Sequence, residues 1–254
     1  MNRPEEQGTH TIERNDEQAI LHRTETSRSI ALATESQALT TRQLEDRQLI
    51  HRNDSARAQA DAFRELRTSL LSLGGNQNFV TLVVPVDHGC GGSFVARNLA
   101  AAFAFDDSKT ALLVDCDVLH PAQHNALRVE ANEGGLMDYL DDPKMALERV
   151  LYRTGIPRLR LIPSGRVRET TGEAFTSFRM RTLVDSLRSR YPDRYLILDS
   201  PSALGSPDAR ILSDLADFVV LVAGYGRVTL EAIDKAAANF APEKLAGVVF
   251  NHRP

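Results

Sequence analysis

From Phe79 to Asn251 the chain alternates two patterns. Short uninterrupted apolar runs occur at 79–85 (FVTLVVP), 110–117 (TALLVDCD), 158–165 (RLRLIPSG), 194–201 (RYLILDSP), 217–224 (DFVVLVAG) and 245–251 (LAGVVFN). Between them lie segments whose apolar residues recur at helical spacing: SFVARNLAAAFAF after the first run, a short GGLMDYLDD piece, 174–191, 208–216 and 228–241. Runs without polar alternation predict strands buried on both faces, and strands alternating with helices predict a parallel sheet. The expected fold is α/β, a doubly wound, mostly parallel sheet with helices on both faces. One more helix precedes the first strand, because Phe63, Leu66, Leu70 and Leu71 share a face and GGNQN at 74–78 stops it.

Residues 1–55 differ in character: polar, of both charge signs, and without Phe, Tyr or Trp. They predict a largely disordered or partly helical arm before a domain spanning 56–254. The bulk numbers add exclusions. Of 254 residues, 42% are hydrophobic and 25% charged, and the net charge is -4, which gives no ground for nucleic-acid binding over the whole surface. No run approaches the ~20 apolar residues that span a bilayer, and the N-terminus lacks the apolar core of a signal peptide, so a cytoplasmic location is expected. Cys90 and Cys116 are too few for a disulfide scaffold and read as small buried residues.

In doubly wound sheets ligands bind at the carboxyl ends of the strands. There this sequence places a glycine loop after the first run, Asp115 and Asp117 after the second, Asp199 after YLIL, and Asn251 after the last. A glycine loop opening a helix points backbone N–H groups at phosphates, aided by the helix dipole. Gly89, Cys90, Gly91, Gly92, Ser93 and Phe94 are therefore the candidate nucleotide-binding residues. The Ser93 hydroxyl with Asp115 and Asp199 suits Mg²⁺, which takes a few carboxylates plus phosphate oxygens. Asp117 adds a carboxylate able to orient or deprotonate an attacking group. What the loop lacks is a lysine before the hydroxyl: Gly92 stands there, and Asp87 and His88 precede the loop. Lys109, Lys144, Lys235 and Lys244 are remote by sequence logic, and Arg97, one turn into the helix, is the nearest alternative cation.

Together these motifs resemble the cytoplasmic kinase domain of the bacterial tyrosine kinases (BY-kinases), relatives of the septum-site and partition ATPases with deviant Walker motifs. The resemblance covers roughly 56–251. GCGGSFVARNLA lies where that family has a G-x-G-K-[ST] loop, ALLVDCDVLHP matches its second Walker motif, and YLILDSPSALGSPDARILSDLADFVVLV matches its Walker B strand with the helix and strand beyond. The resemblance implies ATP or ADP with Mg²⁺ as ligands and an adenine contact at Asn251. Asp61, Arg64 and Arg67 stand where the family carries the E-x-x-R-x-x-R motif of ring formation, which implies a homo-oligomer. It also implies work in exopolysaccharide or capsule biosynthesis, beside a transmembrane co-polymerase or chain-length regulator at the inner face of the inner membrane. The departures imply a pseudokinase with weak or absent turnover: Gly92 for lysine, no arginine after Asp117, and no tyrosine after Tyr225. An active kinase taking its missing cation from a partner, and a partition or positioning ATPase, are the alternatives.

Overall fold

The computed structural model of the chain describes residues 38–51, 57–75, 77–167 and 171–251. Seven strands form one sheet in the order β3-β4-β2-β5-β1-β6-β7. They are β1 (Val80–Pro85), β2 (Thr110–Asp115), β3 (Tyr152–Arg153), β4 (Leu159–Ile162), β5 (Arg194–Asp199), β6 (Phe218–Gly224) and β7 (Leu245–Asn251). All neighbours are parallel except β3 and β4. The predicted fold class is the observed one. β3 is an addition, a two-residue antiparallel edge too short to leave a periodic signal.

The strands divide their side chains between two apolar layers, as period two requires. Val83, Leu113, Ile197 and Val220 face one layer, and Leu82, Val84, Leu112, Leu196 and Leu198 face the other. Helices α2 (Arg57–Gly74) and α3 (Gly92–Ala104) cover the first layer. The alanines of α3 let it lie close on the strands, and all residues from Val95 to Ala104 are buried. The second layer is covered by α5 (Leu136–Asp141), α6 (Gly172–Thr176), α7 (Phe178–Ser189) and α8 (Asp208–Ser213). Within the first layer, Phe79 meets Phe103, Tyr195 and Phe218 edge-on at 5.9, 4.9 and 5.0 Å, at the strand ends away from the glycine loop.

One reading of the pattern needs adjusting. The helix expected over 174–191 breaks at Ser177, whose extended backbone (ψ 151°) ends α6 while its hydroxyl accepts the Met180 N–H at 3.1 Å and caps α7. The arm, drawn to residue 55, includes 38–51, and these dock on the sheet domain. α1 (Thr41–Glu45) carries a capping box between Thr40 and Gln43. Leu44, Leu49 and Ile50 enter the first apolar layer. The buried amide of Asn98 on α3 holds this segment at both sides, accepting the Ile50 N–H at 2.8 Å and donating to the Gln48 carbonyl at 3.0 Å. The rest of the predicted arm lies outside the described residues.

Candidate functional site

β1 ends at Pro85 and the chain turns back through residues 86–91 into α3. The turn needs left-handed backbone at Gly89 (φ 78°) and Gly91 (φ 83°), which glycine adopts without a Cβ penalty. Gly91 caps the helix without a side chain, so the first N–H groups of α3 have no capping acceptor from it. Asn251, at the end of β7, donates its side-chain amide to the Cys90 carbonyl at 3.1 Å and braces the loop from outside. The Phe94 side chain turns away from the loop, meeting Phe63 of α2 edge-on at 6.0 Å, so only its backbone belongs to the helix start.

Parallel pairing sets Asp115 and Asp199 side by side at the ends of β2 and β5. Both are fully buried. Between them sits Gln123 of α4 (Gln123–Ala126), a buried residue that no sequence motif singled out. Its backbone N–H and that of Ala122 reach Asp115 Oδ2 at 3.0 and 3.1 Å. Its side-chain amide donates to Asp199 Oδ2 at 2.6 Å and to the Ser93 carbonyl at 3.0 Å, joining the ends of β2 and β5 to the start of α3 in one network. Burial, then the neighbouring Asp199 charge, holds the Asp115 carboxyl well above the usual carboxylate range. Burial pushes Asp199 up to about 7, against the pull of Gln123 and Ser93 beside it.

Asp115 Oδ1 and Asp199 Oδ1 are buried with no hydrogen-bond donor among the described residues. Two orphaned carboxylate oxygens beside a serine at a phosphate-type loop fit a hard cation. No group of three or more His, Cys, Asp or Glu side chains among the described residues could hold a metal by itself. The donor set therefore suits Mg²⁺ arriving with phosphate oxygens, since that ion ordinarily keeps few protein ligands.

The remaining candidates separate. Asp117, partly exposed, accepts the His120 N–H at 3.1 Å and closes a turn, with the His120 ring packed on that of His88 at 5.1 Å over the loop. Arg97 is buried against the Phe94 ring, and its guanidinium meets Gln48 of the docked arm at 3.4 Å. Its charge reaches Asp199 but it makes no hydrogen bond to the loop. On α2, Asp61 pairs with Arg64 on its own helix, while Arg67 donates to the Ala102 carbonyl at 2.8 Å and lies 3.8 Å from Asp106.

At Gly92 the structure adds what the sequence did not suggest. A Cβ there would lie 2.6 Å from Pro85 Cδ and 2.8 Å from Cγ, inside van der Waals contact. The proline ring at the strand end fills the space in which any side chain at 92 would begin.

No protein-family model matches the chain. It is 34% identical over 196 residues to EpsB of Ralstonia solanacearum. It is 32% identical over 194 residues to tyrosine-protein kinase wzc of Salmonella typhimurium. In both cases 75% of this chain is matched, but the chain spans only 25% and 26% of those relatives' lengths. Tyrosine-protein kinase YwqD of Bacillus subtilis is a shorter relative, 30% identical over 195 residues that make up 76% of this chain and 80% of YwqD. Among solved structures, the kinase domain of Escherichia coli tyrosine kinase ETK superposes with a TM-score of 0.69 at 27% identity over 77% of each chain. The chimerical protein CapA2B2 does so at 0.71 and 25% identity, over 85% of this chain and all of that one.

Proposed function

The chain belongs to the bacterial tyrosine kinase family, and from that membership we propose a nucleotide-binding member that holds Mg²⁺–ADP or Mg²⁺–ATP without turning it over. It acts in exopolysaccharide or capsule biosynthesis, as a regulatory partner of a transmembrane co-polymerase at the inner face of the membrane, and not as a phosphotransferase. No helix among the described residues is long and apolar enough to cross a membrane itself.

The observation that carries this reading is the pairing of Gly92 with the Pro85 ring. Phosphoryl transfer is catalysed almost wholly by positioned charge, and a single cationic group accounts for about 10³–10⁵ in rate. Backbone N–H groups and a helix dipole stabilise a ground-state phosphate, but they do not follow charge as it migrates in the transition state. Here the cation's position carries no side chain and its space is filled. The ground-state elements are retained: left-handed Gly89 and Gly91, Ser93, and the orphaned oxygens of Asp115 and Asp199. Ser93, Asp115 and Asp199 would hold Mg²⁺, which when bound offsets phosphate charge. Gln123 keeps the two carboxyls together and oriented toward the loop.

The test pairs a binding and a turnover measurement on one preparation. Fluorescent ADP should bind saturably in Mg²⁺ and weaken in EDTA. Radiolabelled ATP should yield no phosphotyrosine and only trace phosphate. Hydrolysis near about 1 per second, the low end for kinases, would overturn the reading.

A further inference from the structure

The lysine's absence leaves a loop built for an anion with no cation of its own, and the structure brings one from another strand. β6 pairs with β1 through Pro85 and Val222, and the Val86 N–H still bonds the Val222 carbonyl at 2.9 Å one residue further on. The segments leaving these strands therefore run side by side, the glycine loop from β1 and Gly224-Tyr225-Gly226-Arg227 from β6. The second segment is fixed at its base, since the Tyr225 N–H donates to the Asn251 carbonyl at 2.7 Å. The amide of that same Asn251 bonds Cys90 in the first. A turn with Gly226 at φ 69° and the Arg227 N–H on the Gly224 carbonyl at 3.0 Å folds the arginine back toward the glycine loop.

Two close approaches then aim the side chain. Its stem lies flat on Gly224: a Cβ at 224 would sit 3.1 Å from Arg227 Cβ and 3.0 Å from its Cδ. Its Nη1 would sit 3.5 Å from a Cβ on Gly89. The guanidinium thus rests on the loop backbone at the first left-handed glycine. Among the described residues it has no ion pair or hydrogen bond. A stem seated on one glycine, a charge resting on another and no anionic partner together describe a phosphate-binding group without its ligand. Arg97, by contrast, is committed to Gln48 and the Phe94 ring.

We infer that Arg227 is the phosphate-binding cation of this site, reaching from the β6 segment over Gly89 to the place the loop lysine would otherwise neutralise. The inference rests on the loop being a nucleotide site. Arginine suits the role because its planar fork binds phosphate oxygens in pairs while its stem stays put. Its charge stands over Gly89 and not at Gly92, where the loop lysine would begin.

Titration of the full chain with fluorescent ADP in Mg²⁺ tests it. Arg227→Ala should weaken binding at least about tenfold, the loss of one charge-assisted phosphate contact, with the melting temperature unchanged because the side chain is exposed. Arg227→Lys should recover most of the affinity. Gly224→Ala, which keeps the charge but lifts its stem, should fall between. Wild-type affinity in Arg227→Ala, within about twofold, overturns the role of the arginine and leaves the nucleotide site standing. A wild-type chain that binds no nucleotide overturns the site itself and the arginine's role with it.

Discussion

Two pairs of residues set the chemistry of the loop, and each makes a prediction of its own. Gly92 has ordinary helical backbone, so a lysine there meets no torsional penalty; what it meets is the Pro85 ring. Gly92→Lys alone should therefore cost about 1–3 kcal/mol by overpacking and leave hydrolysis at its trace level. Pro85→Gly with Gly92→Lys removes the three contacts with the proline ring and should raise hydrolysis by about two orders of magnitude or more. Urea denaturation and steady-state phosphate release check both halves, and full restoration by the single variant would show that the ring is no obstacle. The second pair is Asp115 and Asp199. Their folded carboxyls keep protons far above the ~3.9 at which an unfolded aspartate releases them. Between about pH 4 and about 7 the folded chain thus binds more protons than the unfolded one, so stability falls as pH rises through that window. In EDTA the melting temperature should drop from about pH 5 to about pH 7.5, and Asp199→Asn should flatten the drop. An Asp199→Asn slope equal to that of the wild type would mean that other groups carry the dependence.

At the scale of elements, the six long apolar runs were legible because burial on both faces leaves no polar interruption, and Asp115, Asp199 and the glycines were legible because they stand directly at strand ends. Features held by contacts between distant segments were not. The docking of 38–51 depends on Asn98, a residue that in sequence reads as one more polar position on α3, and on Leu49 and Ile50 beside charged neighbours. Gln123 escaped notice because nothing in its own neighbourhood marks it; only the adjacency of β2 and β5 gives its backbone N–H one carboxyl and its side-chain amide the other. The Arg227 contact with Gly89 is likewise a property of neighbouring strands, β6 and β1, whereas the Pro85 contact with Gly92 comes from the way the turn folds α3 back on the end of β1. Docking of the arm also has a measurable cost when broken. Ile50 is buried in the main apolar layer, so Ile50→Ala should reduce unfolding free energy by about 2–5 kcal/mol, whereas an exposed residue of an unattached arm would cost at most about 0.5 kcal/mol. Because Gln48 also receives Arg97, losing the docked segment should leave that buried cation without its hydrogen bond.

For the whole molecule, the question is what surface the sheet domain offers to copies of itself. Asp61, Arg64 and Arg67 occupy one stretch of α2 at three-residue spacing, but their side chains have different commitments. Arg67 is largely covered, tied to the Ala102 carbonyl of α3 and near Asp106, and serves the packing of α2 on its own subunit. Arg64 is half exposed and its local partner is Asp61 on the same helix, an arrangement of small intrinsic worth in water and one that either group can exchange for a charge on a neighbouring copy. Arg57, 4.0 Å from Asp61, extends the same charged strip outward. If the family's ring contact operates here, Arg64 carries it and Arg67 does not. Arg64→Ala should then abolish concentration-dependent self-association in sedimentation velocity while the melting temperature of the dilute chain stays within about a degree of the wild type, as expected for a surface change. Arg67→Ala should do the reverse, lowering stability by roughly 1–3 kcal/mol through the lost buried contact, with association following only as far as folding does. Association unchanged in Arg64→Ala would reduce the strip to a solvated face, and any assembly of this chain would then have to be built from other surfaces.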